Sequence, residues 1–594
     1  MVKADLIKKA VSNQRRLSNR AEEYKPDHYR KLFVDNTNQN FANLMSGSAN
    51  QVIFGRRGTG KTMLLNKLLR DGRPFNSNGK YIAIMVQVPD FHRSIELNKN
   101  DTPILKAKYY FREFLYQFSN ELLRFSDDIL QNENFLTKIG LINKSKNQVL
   151  VDRIFKLHEI LQKGIRLYRI DKSYFNDYIE DSNQKEIDYS SNLHNEISGS
   201  TKIKYGIPSA SIDLHPNYLS NHIDNQSSIH KEIKTQNLSG EFDYGIPEIR
   251  DGLKDIIDML KIENIMILID EWQALDIDCQ SEFAHFLFKC LFGIKYVSVK
   301  IAAYRHICNF NNGGNSENFR GVELGQDIEV VGDTDLPPTE EYTIKFMFNI
   351  LYRRLIFDEP DLEKYYGSPE NFDYTILIND IFNNKRVAEI LVRGSHGILR
   401  DFIKAFNKAT DSCKYDIARN KITIEHVNKA YSDISKEVQD NVHSADDIGG
   451  LLFEMIKPHI FRTGKPYFFI SENDHQWDKF LWELVEKRAI HVVPKVNLPP
   501  GVSVDWKCFE LSYGLFLSWI EAYTFKDGGE SPQIKWSNVS KKLLQKDIES
   551  TKLQISRDPI STRKCDHCHK QFSTSSTSYM KKKLCPYCFN AQND

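Results

Sequence analysis

The chain has 594 residues, too many for one hydrophobic core, so three or four folded units are expected. Lys and Arg number 80 against 79 Asp and Glu, giving a net charge of +1. That balance excludes a chain that binds nucleic acid through bulk charge, so such contact would need local patches. No apolar run reaches the roughly 18 residues of a membrane span, and Met1–Asp5 starts no apolar signal core, so a cytoplasmic protein with no membrane partner is expected. Nine cysteines divide into five scattered ones (Cys279, Cys290, Cys308, Cys413, Cys508) and four near the end. This suits a reducing compartment and a metal site better than a disulfide framework.

Residues 1–40 are polar and mildly basic, with Arg15-Arg16 and Arg30-Lys31, and read as a solvated helical arm. The apolar run Gln51–Phe54 then meets a glycine-rich turn, followed by the helical stretch Met63–Leu69 and a buried-strand pattern at Tyr81–Val88. Strand, turn, helix, strand opens an α/β fold with a parallel sheet. Residues 104–168 read as helical, and 171–240, rich in Asn, Ser, Asp and His, as a surface insertion. Strand patterns resume at Asn264–Glu271 and Val297–Tyr304. The expected organisation is an arm (1–40), a P-loop core (41–336) with an insertion at about 91–245, a helical lid (337–440), a further unit (441–525), a linker (526–560) and a ribbon (561–594).

Gly55-Arg56-Arg57-Gly58-Thr59-Gly60-Lys61-Thr62 matches G-x-x-x-x-G-K-[ST] between a strand and a helix. Such a loop wraps its backbone N–H groups around phosphate oxygens at a helix N-terminus, so all eight residues are candidates for ATP binding. Lys61 would reach the β- and γ-phosphates, and the Thr62 hydroxyl would ligate Mg2+. Ile265–Ile269 ends in Asp270-Glu271, two carboxylates at the ligand-binding end of a strand. Asp270 would hold Mg2+ and Glu271 would deprotonate the attacking water. A cation for the developing charge could come from Arg305, beside His306, from Arg320, from Arg353-Arg354 or from Arg400.

These stretches resemble a group of prokaryotic ATPases similar to the origin-recognition branch of AAA+ and STAND proteins. The carrying residues are Phe54–Thr62, Leu268-Ile269-Asp270-Glu271-Trp272, Lys300–Ala303, Gly321–Ile328 and Gly397–Phe402. The resemblance implies a nucleotide-sensing arginine early in a lid helix, which places Arg400 there. It also implies an association with bacterial defence against phage or mobile elements.

Residues 446–525 run helix, strand, helix, strand, loop, strand, the order of a winged helix, which origin-recognition ATPases place after the lid. The second helix presents Asp474, Asp478, Glu483 and Glu486 against Lys479 and Lys487, a poor surface for a DNA groove, so protein contact is the expected role. Cys565-Asp566-His567-Cys568 and Cys585-Pro586-Tyr587-Cys588 give two C-x2-C knuckles sixteen residues apart, the ligand set of a structural zinc ribbon. Lys581-Lys582-Lys583 make that ribbon basic, so it would suit DNA, RNA or a protein partner equally. The reading in sum is an ATP-hydrolysing switch acting on an effector protein or on its own oligomer. A nucleic-acid loader and a non-hydrolysing nucleotide-bound scaffold are the alternatives.

Overall fold

A computed structural model describes residues 3–15, 26–35, 40–72, 81–91, 101–130, 154–158, 168–169, 241–242, 246–260, 264–313, 319–413, 421–443, 451–471, 478–493, 506–519, 550–553, 562–564 and 571–573, with a few isolated positions between them. Its centre is a five-stranded parallel sheet of β1 (Gln51–Phe54), β2 (Tyr81–Gln87), β5 (Asn264–Asp270), β6 (Val297–Ala303) and β7 (Glu329–Asp333), in the order β2-β5-β6-β1-β7. Strands β3 (Tyr168–Arg169) and β4 (Glu241–Phe242) pair antiparallel, and residues 170–240 between them lie outside the described residues.

Every residue of β1, β5 and β6 is buried, which explains their largely apolar runs: helices cover both faces, so both side-chain phases favour apolar residues. Val52, Phe54, Ile265, Ile267 and Ile269 enter a core built with the helices Pro103–Leu130, Ile246–Leu260 and Gln280–Leu291. Ile53, Met266 and Leu268 enter the opposite core, against the helix Lys61–Asp71 and Phe41 and Met45. The edge strand β7, which the sequence reading did not pick out, is only partly buried and contains Gly332.

Lys300 is the charged residue inside β6. Fully buried, its Nζ donates to the carbonyls of Gly47 and Ala49 and to Gln51 Oε1 at 2.6–2.8 Å, pinning the turn that leads into β1. Burial lowers its pKa to about 7.

Helices Glu341–Asp358, Tyr374–Ile381, Lys385–Gly394, Leu399–Ser412 and Ile424–His443 form a second core, called the lid below. The N-terminal helix Lys3–Gln14 belongs to it: Leu6, Ile7, Ala10 and Val11 are buried there. The solvated arm expected from composition is therefore packed. Its apolar residues are few but recur at one-turn spacing, enough for one buried stripe.

The third unit combines the helical stretch Leu451–Thr463, the helix Asp478–Glu486 and an antiparallel sheet of β8 (Tyr467–Ser471), β9 (Ile490–Val492) and β10 (Trp506–Leu511), in the order β8-β10-β9. Its core includes Tyr304 from the end of β6 and Val438 and Val442 from the lid, so it packs on both. His306 stacks on Trp482 across this contact at 4.0 Å, and burial lowers its pKa to about 4. Residues 550–553, read as linker, dock on the same unit through a Leu553 N–H bond to the Phe469 carbonyl. At the C-terminus, β11 (Thr562–Lys564) pairs antiparallel with β12 (Gln571–Ser573). Cys565, Cys568, Cys585 and Cys588 lie outside the described residues. Among the described residues no helix is long and apolar enough to cross a membrane.

Candidate nucleotide site

The loop between β1 and the helix Lys61–Asp71 opens on a cleft whose empty space, counting the open solvent at its mouth, is about 1330 Å³. Gly58 and Gly60 hold φ values of +91° and +101°, which L side chains rarely adopt. The two glycines are needed for different further reasons. A Cβ on Gly58 would lie 2.9 Å from Arg400 Cβ. One on Gly60 would enter open space at the helix N-terminus, the cradle where a phosphate must approach the backbone. Gly55 needs its own freedom because a Cβ there would meet Thr334 Oγ1 at 1.9 Å.

Lys61, Thr62, Asp270 and Glu271 come together as one wall of this cleft. Lys61 Nζ is buried and donates to the Gly55 and Arg56 carbonyls at 2.6 and 2.9 Å. Burial lowers its pKa, and the nearby charges of Asp270, Asp335, Asp333 and Glu271 oppose that. Asp270 is fully buried at the end of β5. Burial raises its pKa to about 6, although a hydrogen bond from Thr62 and the Lys61 ammonium hold it back. The hydroxyl and the carboxylate that would share a divalent cation are thus already neighbours. Two oxygen ligands from the protein fit magnesium, which keeps several waters and takes the rest of its shell from substrate phosphates.

Glu271 has a left-handed backbone, φ 55° and ψ 47°, unusual outside glycine and a local strain. The turn is held by Trp272, which is fully buried and stacked on Phe310 at 4.8 Å. This anchor explains the Asp-Glu-Trp order: the tryptophan seats the turn that aims the acid. Gln273 follows into the cleft, and its side-chain oxygen has no hydrogen-bond partner among the described residues.

Away from the loop the cleft turns apolar, lined by Leu32, Phe33, Phe41, Phe346, Ile350 and Leu399. Arg354 holds its rim, donating to Tyr24 Oη at 2.7 Å and to the Leu17 carbonyl at 2.8 Å, so it ties the N-terminal segment to the lid. Neither Arg354 nor Arg353, which faces Glu370, resembles a cation waiting for phosphate.

The structure separates the other arginine candidates. Arg400 lines the cleft at the start of the helix Leu399–Ser412, and its backbone N–H donates to the Gly58 carbonyl at 3.2 Å. Arg305 is not among the lining residues. It sits over the Phe54 ring at 4.1 Å and 3.6 Å from Asp333, partly exposed. Arg320 meets His285 at an exposed site.

Arg57 faces the cleft, whereas Arg56 does not. The Arg56 N–H and Nε are taken by the two oxygens of Asp335 at 2.8 and 3.0 Å, so the expectation that Arg56 binds phosphate is corrected for both side chain and N–H. The loop is latched further by Thr334, whose Oγ1 is 2.6 Å from Thr59 Oγ1 and donates to the Phe54 carbonyl. Sequence reading missed Thr334 and Asp335 because they follow the edge strand β7. The apolar Val330-Val331 stopped by Gly332 was the available sign.

Residues 17–281, a little under half of the chain, match the family model described as ORC-CDC6-like. No curated protein matches the chain. The matched stretch runs from the N-terminal segment at the cleft's rim past Asp270-Glu271 to the start of the helix Gln280–Leu291, and its likeness supports an AAA+ ATPase of the ORC/CDC6 type there.

Proposed function

We propose that the chain is a magnesium-dependent ATPase working as a molecular switch. The observation that carries this is the meeting of Lys61, Thr62, Asp270 and Glu271 in one cleft, on a loop whose Gly60 leaves room for phosphate. Lys61, drawn off its two loop carbonyls, would hold the β- and γ-phosphates. Thr62 and Asp270 would hold magnesium, which when bound supplies positive charge to the phosphate oxygens. Glu271, on its strained turn, would take the proton of the attacking water, and Arg400 would stabilise charge on the γ-phosphate. The apolar end of the cleft would take the base. Arg305 would contribute only after leaving Asp333 and Phe54.

The control of a partner protein or of self-assembly, a role in anti-phage defence, a winged-helix character for residues 441–525 and a zinc site at Cys565, Cys568, Cys585 and Cys588 belong to the same proposal. The packing of the third unit on both core and lid favours a switch, since movement of either would reach it. Turnover of ATP with and without added DNA or RNA tests this. Turnover indifferent to nucleic acid supports the protein-coupled switch, stimulation with a steep salt dependence supports the loader, and co-purified nucleotide without turnover supports the scaffold.

A further inference from the structure

We infer that Arg56 is a positioning residue through which docking of the third unit sets the geometry of the phosphate loop. This rests on the assignment of nucleotide binding to that loop. Arg56 stands in the motif, yet its side chain is 6% exposed and does not line the cleft. Three units converge on its guanidinium. Nε binds Asp335 of the core at 3.0 Å, Nη2 donates to the His396 carbonyl of the lid at 2.7 Å, and Nη1 meets His491 Nδ1 on β9 at 3.1 Å.

A guanidinium has donors only, so His491 Nδ1 accepts, and the imidazole is neutral with its proton on Nε2. Burial and the positive charges of Arg56 and Arg488 favour that form. The His491 ring lies against the His396 ring at 3.8 Å and 17°. His396 Nδ1 is in turn 3.3 Å from Glu510 on β10. One buried polar chain therefore runs from the phosphate loop to the sheet of the third unit.

Two features make the chain a coupling and not only a tie. Withdrawal of β9 would leave a buried cation short of one partner, so the loop and the third unit favour moving together. The loop is also gripped from the lid side, where the Arg400 N–H binds the Gly58 carbonyl and Arg400 Cβ occupies the space beside Gly58. Residues 56–58 are thus held between Asp335 and the lid turn 396–400, immediately before the cradle at Gly60. Nucleotide affinity and docking of the third unit are then linked, and the linkage is reciprocal.

The test uses the full chain and measures Kd for a non-hydrolysable ATP analogue with magnesium. His491 does not line the cleft. His491→Phe keeps the ring and the stack but removes the acceptor, whereas His491→Asn restores an oxygen acceptor. The expected result is a shift in Kd of at least about fivefold for His491→Phe, with His491→Asn within about twofold of wild type. Arg56→Ala should shift Kd in the same direction, and adding His491→Phe should shift it no further. Nucleotide should change hydrogen exchange in β9 and β10 of the wild type but not of His491→Phe. If Arg56→Ala does not fold, the two His491 variants decide the matter. A His491→Phe Kd within about twofold of wild type, or a double variant equal to the product of the singles, overturns the inference. A wild type with no measurable Kd overturns the nucleotide assignment and this inference with it, and shows before any variant is made.

Discussion

The phosphate loop has two sides, and they are built differently. On the front, Gly58, Gly60, Lys61 and Thr62 face a cleft wide enough for a ligand. On the back, Gly55 and Arg56 are locked into Thr334, Asp335, His396 and His491. Two adjacent residues of one type, Arg56 and Arg57, fall on opposite sides, one buried among partners and one exposed at the cleft. The motif therefore specifies where its glycines and lysine go, while its variable positions are free to serve the rest of the molecule.

The largest effects should come from the front. Lys61→Ala removes the only motif lysine, and ATP binding should fall by at least about 100-fold, read as a Kd. Gly58→Ala combines a disfavoured φ with the Arg400 Cβ at 2.9 Å, so it should cost about 3 kcal/mol or more in an unfolding experiment. Gly60→Ala meets the same φ penalty but open space, so its stability cost should stay near 1–2 kcal/mol while nucleotide binding suffers more. Equal stability costs for the two would break the distinction between a glycine packed against Arg400 and one open to the cleft.

Asp270 gives an intermediate and pH-dependent effect. Its pKa is about 6 in the fold, above its ordinary 3.8, so between those values the folded chain holds the extra proton. The group's contribution to stability therefore falls as pH rises from about 4 to 6 and stays reduced above that. Asp270→Asn should raise stability at pH 7 by on the order of 2 kcal/mol, and the gain should vanish below about pH 4. Because magnesium and the proton compete for the carboxylate, the magnesium affinity of the wild type should weaken as pH drops below about 6. The smallest effect is expected for Arg305→Ala: an exposed pair with Asp333 is worth less than about 1 kcal/mol, and turnover should change less than about threefold. Arg400→Ala, from the cleft, should reduce turnover by at least about tenfold, and the reverse ranking of the two arginines would contradict their placement.

Legibility in the sequence followed the same division. The strands at 51–54, 81–87, 264–270 and 297–303 were readable because a sheet covered on both faces favours apolar residues in most successive positions. The pairing of Lys61 with Asp270 was readable because phosphate chemistry fixes both the loop spacing and the strand end. The helical segments of the third unit and its three strands were readable as elements from their periodicity. Their contact with the P-loop was not, because no local pattern marks His491 or His396 as neighbours of Arg56. Residue pattern alone did not distinguish Arg305 from Arg400, since both follow structured segments: the family resemblance favoured Arg400, and the packing of its turn against Gly58 puts it at the cleft. The arm was misjudged because Leu6, Ile7, Ala10 and Val11 are outnumbered by polar residues, although one buried stripe was all the lid required.

The most direct test of the central claim compares magnesium-dependent ATP turnover and ATP affinity in the wild type and in Glu271→Gln. The account predicts turnover by the wild type, and a variant that binds ATP with affinity near wild type yet hydrolyses it at least about 100-fold more slowly. Equal turnover in the two proteins, or tight nucleotide binding without turnover in the wild type, would contradict it.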